Sequence, residues 1–461
     1  MQQTLWNTHQ IKCCEKEIGQ ELLKDEHSLI SFQQDFGRLT KAQPAAVFIP
    51  NNLLPLEQLV QYANQFSLPI NIRGNGLSQS GQSLAVDGGV TVHLKNFRNV
   101  YSHAQDSIWV DGNASWASLL ETSLTHSQIP YVLPYNCNLS VAGVLSVGGV
   151  GASSFRFGTV SSYVKALEVL TANGKRQIVD AQSELFQACL SGQGRFGIIT
   201  KACIQLRSCA RKVRTFFLVY SDKEQWLNDV EEARREADYL ETFCSPSVQG
   251  SKLKEGKRQP FAQWLYALHI AKEFDYTPPA IEDFSPLLKP LNILHVQDEN
   301  IESYLHRHDS RFEMMRLLGQ WEMIHPWYEC FIPRKLLAQH LESLLTKLPL
   351  HYVPVLQIVP MAPKAPTGFF MMPEDDTDVY AIMILHPGVH PKLLDSSVES
   401  IQFMDDLFLQ QGGKRYLSGY LGPIVKEQYW QKHFGPRYKD WMGLKKQFDP
   451  KNVFRSQLHR R

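Results

Sequence analysis

Residues 71–82, Asn-Ile-Arg-Gly-Asn-Gly-Leu-Ser-Gln-Ser-Gly-Gln, hold the first residues whose types and spacing suit chemistry. Gly74 and Gly76 stand two apart, which opens positive φ to the backbone and leaves no Cβ in the way. Successive N–H groups in such a turn converge on an anion, so the chemistry is the binding of a phosphate or pyrophosphate. Ser78 and Gln82 add short polar side chains for hydrogen bonds to a cofactor, and Arg73 adds a cation at the lip. Asn75 and Leu77 complete the loop. The same pattern also describes an ordinary Gly-rich turn after an apolar run. Gln79 occupies the place of the third glycine in G-x-G-x-x-G, and no Gly-Lys-Ser/Thr follows, so Rossmann and P-loop chemistry are not supported.

A second run, Ser140-Val-Ala-Gly-Val-Leu-Ser-Val-Gly-Gly-Val-Gly-Ala152, is too rich in glycine for a stable helix interior and in small residues for an ordinary strand. Side chains this small let backbone approach something flat and large, or pack a tight corner between strands. A third run, Ser191-Gly-Gln-Gly-Arg-Phe-Gly-Ile-Ile-Thr200, is a turn entering a strand. Other chemistries find less. Among sixteen histidines the densest pair is His306 and His308, two apart and therefore not on one helix face. His386 and His390 have Pro387 and Gly388 between them, so no metal site is expected. His93, alone in a short strand, reads as structural. Eight cysteines form no C-x-x-C pair and are expected to be reduced thiols, and no G-x-S-x-G elbow marks a hydrolase.

The elements that must position the first loop precede it. Ala45–Pro50 reads as a short buried strand, residues 55–67 as a helix with Leu56, Leu59, Val60 and Ala63 on one face, and Leu68–Ile72 as a second strand ending in the loop. Ligands of β-α-β units bind at the carboxyl ends of strands, where this loop lies. An amphipathic helix is expected around 12–24, strands at 90–94, 107–111 and 164–170, and helices at 115–126 and 183–190. Across 461 residues, 47 basic and 46 acidic side chains nearly cancel, which excludes a general affinity for nucleic acid and points to a small-molecule substrate. No run reaches the ~18 apolar residues of a membrane span, and the opening residues carry no secretory leader pattern. A cytoplasmic protein without a membrane partner, monomeric or a small homo-oligomer, is expected. The end, His459-Arg460-Arg461, reads as a solvated tail.

Together these stretches resemble the flavin-binding half of the vanillyl-alcohol-oxidase superfamily, and within it cytokinin dehydrogenase. Gly74, Gly76 and Ser78 match that family's Gly-x-Gly-His-Ser, and Gln82 falls at a flavin-contacting glutamine. Ser140–Ser146, with Gly143, matches Thr-Val-Gly-Gly-Thr-Leu-Ser; Phe155–Gly158 and Gly192–Thr200 match two further flavin motifs. Beyond that half, Tyr239–Glu241, Leu265–Leu268, Trp321-Glu322, His325–Trp327, Lys414–Leu417 and Phe448–Lys451 resemble segments of the substrate domain and the closing elements. The resemblance implies an α+β fold of two domains, a PCMH-type FAD-binding domain (residues 1–208 and 389–461) with a substrate cap inserted at 209–388. It implies FAD held between Gly74–Ser78 and Ser140–Val150, with Ile199 near the adenine end and Tyr416 in the substrate pocket.

Two departures qualify the expected activity. The histidine that usually bonds covalently to the flavin is Leu77 here, so FAD is expected to be noncovalent. Counting back five residues from Ser140, the family's catalytic aspartate becomes Tyr135. A tyrosine with its ordinary pKa of ~10 keeps its proton near neutrality and makes a poor base. His269 falls where a glutamate is expected. Tyr135 then serves a different substrate as donor or base, or Asn136, Asn138 or His269 takes the polar role, or catalysis is lost. The leading expectation is hydride transfer from a small amine or alcohol to FAD, with oxygen or a quinone as electron acceptor. The alternatives are a true dehydrogenase of N6-isoprenoid adenines and a flavin- or ligand-binding protein without turnover.

Overall fold

The structure, a computed structural model, describes residues 4–363, 367–374, 378–423 and 425–460. Arg461 of the basic tail lies outside the described residues. Three sheets follow one another along the chain. The first is parallel, with β1 (Ala46–Phe48) and β2 (Ile70–Arg73) flanking β3 (Val90–His93). The helix Leu53–Phe66 joins β1 to β2. Asn52 caps its first turn, Ser67 ends it in the left-handed region, and Leu56, Leu59, Val60 and Ala63 are its buried stripe. The helix expected around 12–24 lies earlier, at Thr8–Ile18, because Asn7 and Gln10 form a capping box and Gly19 stops it.

The second sheet is antiparallel, in the order β4 (Val100–Ala104), β5 (Ser107–Asp111), β9 (Ile198–Ser208), β7 (Val164–Leu170), β8 (Arg176–Asp180), with β6 (Gln128–Pro130) on the far end of β9. The Ser140–Ala152 run, read from sequence as neither helix nor strand, contains one short helix, Val141–Leu145. Its buried Val141, Val144 and Leu145 join the core of the second sheet, so packing overrides the propensity cost of Gly143.

The third sheet has eight antiparallel strands. Their order is β13 (Asn292–Asn300), β10 (Lys212–Tyr220), β12 (Lys257–Phe274), β11 (Tyr239–Lys254), β15 (Leu356–Pro360), β16 (Val379–Ile384), β14 (Tyr328–Pro333), β17 (Lys414–Arg415). Side chains alternate across its pleat. Leu240, Leu268, Tyr328, Cys330, Leu356, Ile358 and Ile382 enter one core with Trp226, Leu337, Leu341 and Met404 from three helices, Lys223–Ala233, Arg334–Lys347 and Leu394–Phe408. Each such large apolar side chain contributes about 1.5–3 kcal/mol on burial. On the central strands β11, β12, β15, β16 and β14 the alternate residues point to the opposite face.

The point where the chain returns to its first domain differs from the division expected at residue 388. The helix Leu394–Phe408 packs in the core of the third sheet, and β17 pairs with β14. From Leu417 onward, Leu421, Trp430, Phe434 and Trp441 belong to the core of the second sheet. The last segment then lies beside β2: Ile70 N–H donates to the Val453 carbonyl (2.9 Å) and Arg455 N–H to that of Ile70 (3.0 Å). A buried ion pair pins this closure. Lys445 Nζ donates to the Asp449 carboxylate and to the carbonyls of Arg195 and Phe454 (both 3.0 Å), while Asp449 accepts from the N–H groups of Val453 and Phe454 (both 2.8 Å).

Removing one partner of a buried pair strands the other charge. Asp449→Ala is therefore expected to cost about 3–5 kcal/mol in urea unfolding, and a loss below about 1 kcal/mol would show the pair to be dispensable.

Candidate active site

β2 delivers the chain into the first glycine loop, which the Asp35–Gly37 turn braces from outside. Phe36 N–H donates to the Gly76 carbonyl (3.0 Å) and Gly37 N–H to that of Ser78 (3.1 Å). Gly76 has φ 70°, the left-handed value that its turn requires. Arg73 does not line the cavity, contrary to the cation expected at its lip. Its guanidinium runs behind the loop to the carbonyls of Ser31 (3.1 Å) and Gln34 (3.2 Å), and a Cβ on Gly76 would fall 2.3 Å from its Nη2. Asp35, 4% exposed, accepts from Gly81 N–H (2.8 Å) and the Ser78 hydroxyl (3.0 Å). Burial still pushes its carboxyl up to about 6, against those bonds and the Arg73 charge.

The other expected residues share one cavity of about 520 Å³: Gly74, Asn75, Gly76, Leu77, Ser78, Gln82, Ser140, Gly143, Ser146, Val150, Ile199, Tyr135 and Tyr416. Several of their polar groups are already engaged. Ser78 bonds Asp35 and Ser83, Asn75 Nδ2 donates to the Asn138 carbonyl (2.8 Å), and Gln82 Nε2 donates to that of Leu417 (2.8 Å). Open hydrogen-bonding capacity belongs to Asn113, which was not among the expected site residues, and to Gln193 in the third glycine run. Asn113 is 3% exposed, lines the cavity, and leaves both side-chain amide atoms without a partner. Gln193 Nε2 is likewise unpaired. Bare backbone separates these groups: a Cβ would fall 2.5 Å from Ser140 Oγ at Gly74, 2.6 Å from it at Gly143, and 2.3 Å from the Ile199 carbonyl at Gly112. Buried unpaired amides beside glycine backbone suit an elongated cofactor with phosphates and a polar ring edge, and FAD has both.

The roof is the open face of the third sheet. On β11 Glu241 and Phe243 point into the cavity, on β12 His269, on β15 Gln357, on β16 Met383 and on β14 Glu329. Phe36, Phe312, Trp321 and Trp327 form an aromatic side wall, with Phe36 stacked 3.9 Å from the His325 ring. Glu241 is held by Arg307 Nε (2.9 Å) and lies 2.7 Å from His308 Nε2. Burial opposes its charge, but Arg307 and His308 outweigh that and hold the carboxyl well below the usual range. Glu329 has weaker compensation: burial lifts it to about 7 against a hydrogen bond from Ser418 and the charge of Arg415. Tyr135 packs edge-on against the His308 ring at 5.2 Å, and its buried hydroxyl faces the Gln357 side chain. Tyr416 accepts from Gly149 N–H (3.0 Å), which ties the second glycine run to the roof.

His93 packs edge-on against Phe32, and burial lowers its pKa to about 4, a neutral structural imidazole. His306 Nδ1 pairs with Asp309 (2.8 Å), whereas His308 turns to Glu241. Among the described residues no group of three or more His, Cys, Asp or Glu side chains is arranged to hold a metal, and no helix is long and apolar enough to cross a membrane.

Gly112 tests the cradle, since its missing Cβ lets β5 and β9 close beneath the cavity. Gly112→Ala is expected to weaken FAD retention by about tenfold or more, about 1.4 kcal/mol. Flavin-to-protein absorbance after gel filtration reads it, and a fully yellow variant would free Gly112 of this role.

Comparison with known proteins agrees with this geometry. Residues 44–180 match the family described as FAD binding domain, and residues 210–457 match the family described as cytokinin dehydrogenase 1, FAD and cytokinin binding. The chain is 28% identical to an uncharacterized oxidoreductase in the fasciation locus of Rhodococcoides fascians, over 93% of this chain and 96% of that one. It is 28% identical to cytokinin dehydrogenase 2 of Arabidopsis thaliana (95% and 93% covered) and 26% identical to cytokinin dehydrogenase 9 of Oryza sativa subsp. japonica (92% and 87%). With a glycine cradle, a roof from a second domain and a family match over more than half its length, the chain belongs to the cytokinin dehydrogenase family and is an FAD-dependent oxidoreductase.

Proposed function

We propose that this protein oxidises a small organic amine or alcohol, with FAD held noncovalently. The observation that carries the reading is the continuity of the cavity: a glycine-lined cradle, an aromatic side wall and a roof bearing carboxyl, imidazole and amide groups enclose one space. Gly74–Ser78 and Ser140–Val150 would hold the cofactor, with the amides of Asn113 and Gln193 bonding its polar edges. FAD supplies the two-electron acceptor for a hydride, chemistry that belongs to the cofactor rather than the chain. The chain's part is to bind, orient and exclude water. Leu77 supports noncovalent attachment because its side chain has no nucleophilic atom.

Tyr135 stands where the resemblance leads one to expect a carboxylate. Burial, then the nearby Glu241 charge, pushes its phenol well above its ordinary pKa, with Arg307 opposing. A phenol that keeps its proton donates a hydrogen bond to a substrate heteroatom and does not act as a base. A second reading, N6-isoprenoid adenines as substrates, is supported by the names of the plant relatives.

Three measurements test these statements. Anaerobic mixing of the yellow holoenzyme with N6-isopentenyladenine, benzylamine or benzyl alcohol is expected to bleach the flavin band with an amine or alcohol; a band unchanged by all three sinks the reading. Trichloroacetic acid is expected to release all colour into the supernatant, and colour left in the pellet would mean a covalent link. Tyr135→Phe removes one hydrogen bond and is expected to lower kcat/KM about tenfold without moving the pH profile. A shifted limb would return Tyr135 to proton transfer.

A further inference from the structure

We propose that Glu329 takes the proton from the substrate's heteroatom, the task the resemblance gives to an aspartate at the place of Tyr135. The proposal rests on the amine-or-alcohol reading above. Glu329 lies on the cavity face of β14, between Tyr328 and Cys330, which point into the opposite core. It is 6% exposed. Its Oε2 accepts from the Ser418 hydroxyl, and no donor among the described residues reaches Oε1. Tyr416 N–H donates to the Glu329 carbonyl (2.9 Å), while the Tyr416 hydroxyl accepts from Gly149 in the cradle (3.0 Å). One short segment, Tyr416–Ser418, thus holds both the Glu329 backbone and its carboxyl and is itself tied to the second glycine run.

The other acidic side chains near the cavity are committed elsewhere. Glu241 is bound to Arg307 and lies against His308, so it is ionised but already paired. Asp35 is behind the loop and does not line the cavity. Around Glu329 the groups are few. On β17 Arg415 Nε donates to the Glu329 carbonyl, and its Nη1 pairs with Asp405. On β16 the register partner is Met383, Phe331 lies two residues on along β14, and Trp327 just precedes the strand. Beyond β17 come Tyr416, whose phenol burial keeps protonated, and Ser418. Burial raises the carboxyl to about 7, so near neutrality it exchanges a proton readily.

The step balances. For a substrate with H–C–X–H, where X is oxygen or nitrogen, the X–H bond breaks and its proton goes to Glu329. The adjacent C–H bond breaks with both electrons leaving as hydride to FAD, and a C=X double bond forms. The oxidised product and a protonated Glu329 remain.

The test uses holoenzyme and whichever of the three probes bleaches the wild type. Glu329→Gln is expected to slow anaerobic bleaching about 100-fold or more while remaining yellow. The wild-type rate should rise with pH through about 7, because the ionised carboxylate is the active form, and that limb should vanish in Glu329→Gln. Ser418→Ala removes a bond to the carboxylate, so its limb should move to higher pH; this variant decides if Glu329→Gln loses FAD. A readout without turnover is the infrared C=O stretch of a protonated carboxyl, lost as pH rises through about 7 in wild type and absent from Glu329→Gln. Glu329→Gln bleaching within about threefold of wild type, or keeping the limb, overturns Glu329 alone. A wild-type flavin that no probe bleaches overturns the amine-or-alcohol reading and the proton transfer with it.

Discussion

The segment from Tyr416 to Leu421 is the contact on which the cavity depends. It is hydrogen-bonded to the first glycine loop, the second glycine run and the third sheet. The Leu417 carbonyl accepts from Gln82 of the first glycine loop, and Ser80 bonds both the Gly419 carbonyl and the Leu421 N–H. Tyr416 reaches the second glycine run through its hydroxyl and the third sheet through its N–H. Buried bonds of this sort are each worth only about 0.5–1.5 kcal/mol net, but leaving their groups unpaired costs more. The segment therefore holds cradle and roof in one relative position.

That position gives similar groups different behaviour. Three buried carboxyls lie in or around the cavity. Glu241 has two cationic or basic partners and stays charged; Asp35 and Glu329 have mainly neutral donors and are lifted toward neutrality. Burial alone disfavours charge at all three, so the number and charge of the neighbours decide the outcome. A roof built from one pleated face makes this arrangement cheap to vary, since alternate strand positions can change without touching the apolar core behind them.

Much of the fold was legible in local pattern. The β1–helix–β2 unit has clean periodicity and a cap at Asn52, and the loop at its end is marked by glycine chemistry. That the glycine runs line one cavity was expected from those runs and the family resemblance, because close backbone approach advertises itself by missing side chains. What escaped is tertiary. Arg73 reads as a cation beside a phosphate loop, and only the packing of residues 31–35 turns it behind that loop. Asn113 has no sequence mark, since its importance lies in having no partner. Glu241 and Glu329 leave one trace, a carboxyl on an otherwise apolar strand, but which sheet face they occupy depends on register. The return after Arg415 rather than at residue 388 was hidden because β17 is two residues long.

The closure by Lys445, Asp449 and Phe454 has a consequence for synthesis. β2, the strand that ends in the first glycine loop, gains its neighbour on that side from residues 453–455, almost four hundred positions later. On the ribosome the third sheet and its helices can be complete while the first domain still lacks this edge. Domains tend to fold as they emerge, so the roof is finished before the cradle it covers. The outer edge of the cradle is closed only when residues 453–455 are in place beside β2, so the glycine loop at the end of β2 depends on chain made long after it.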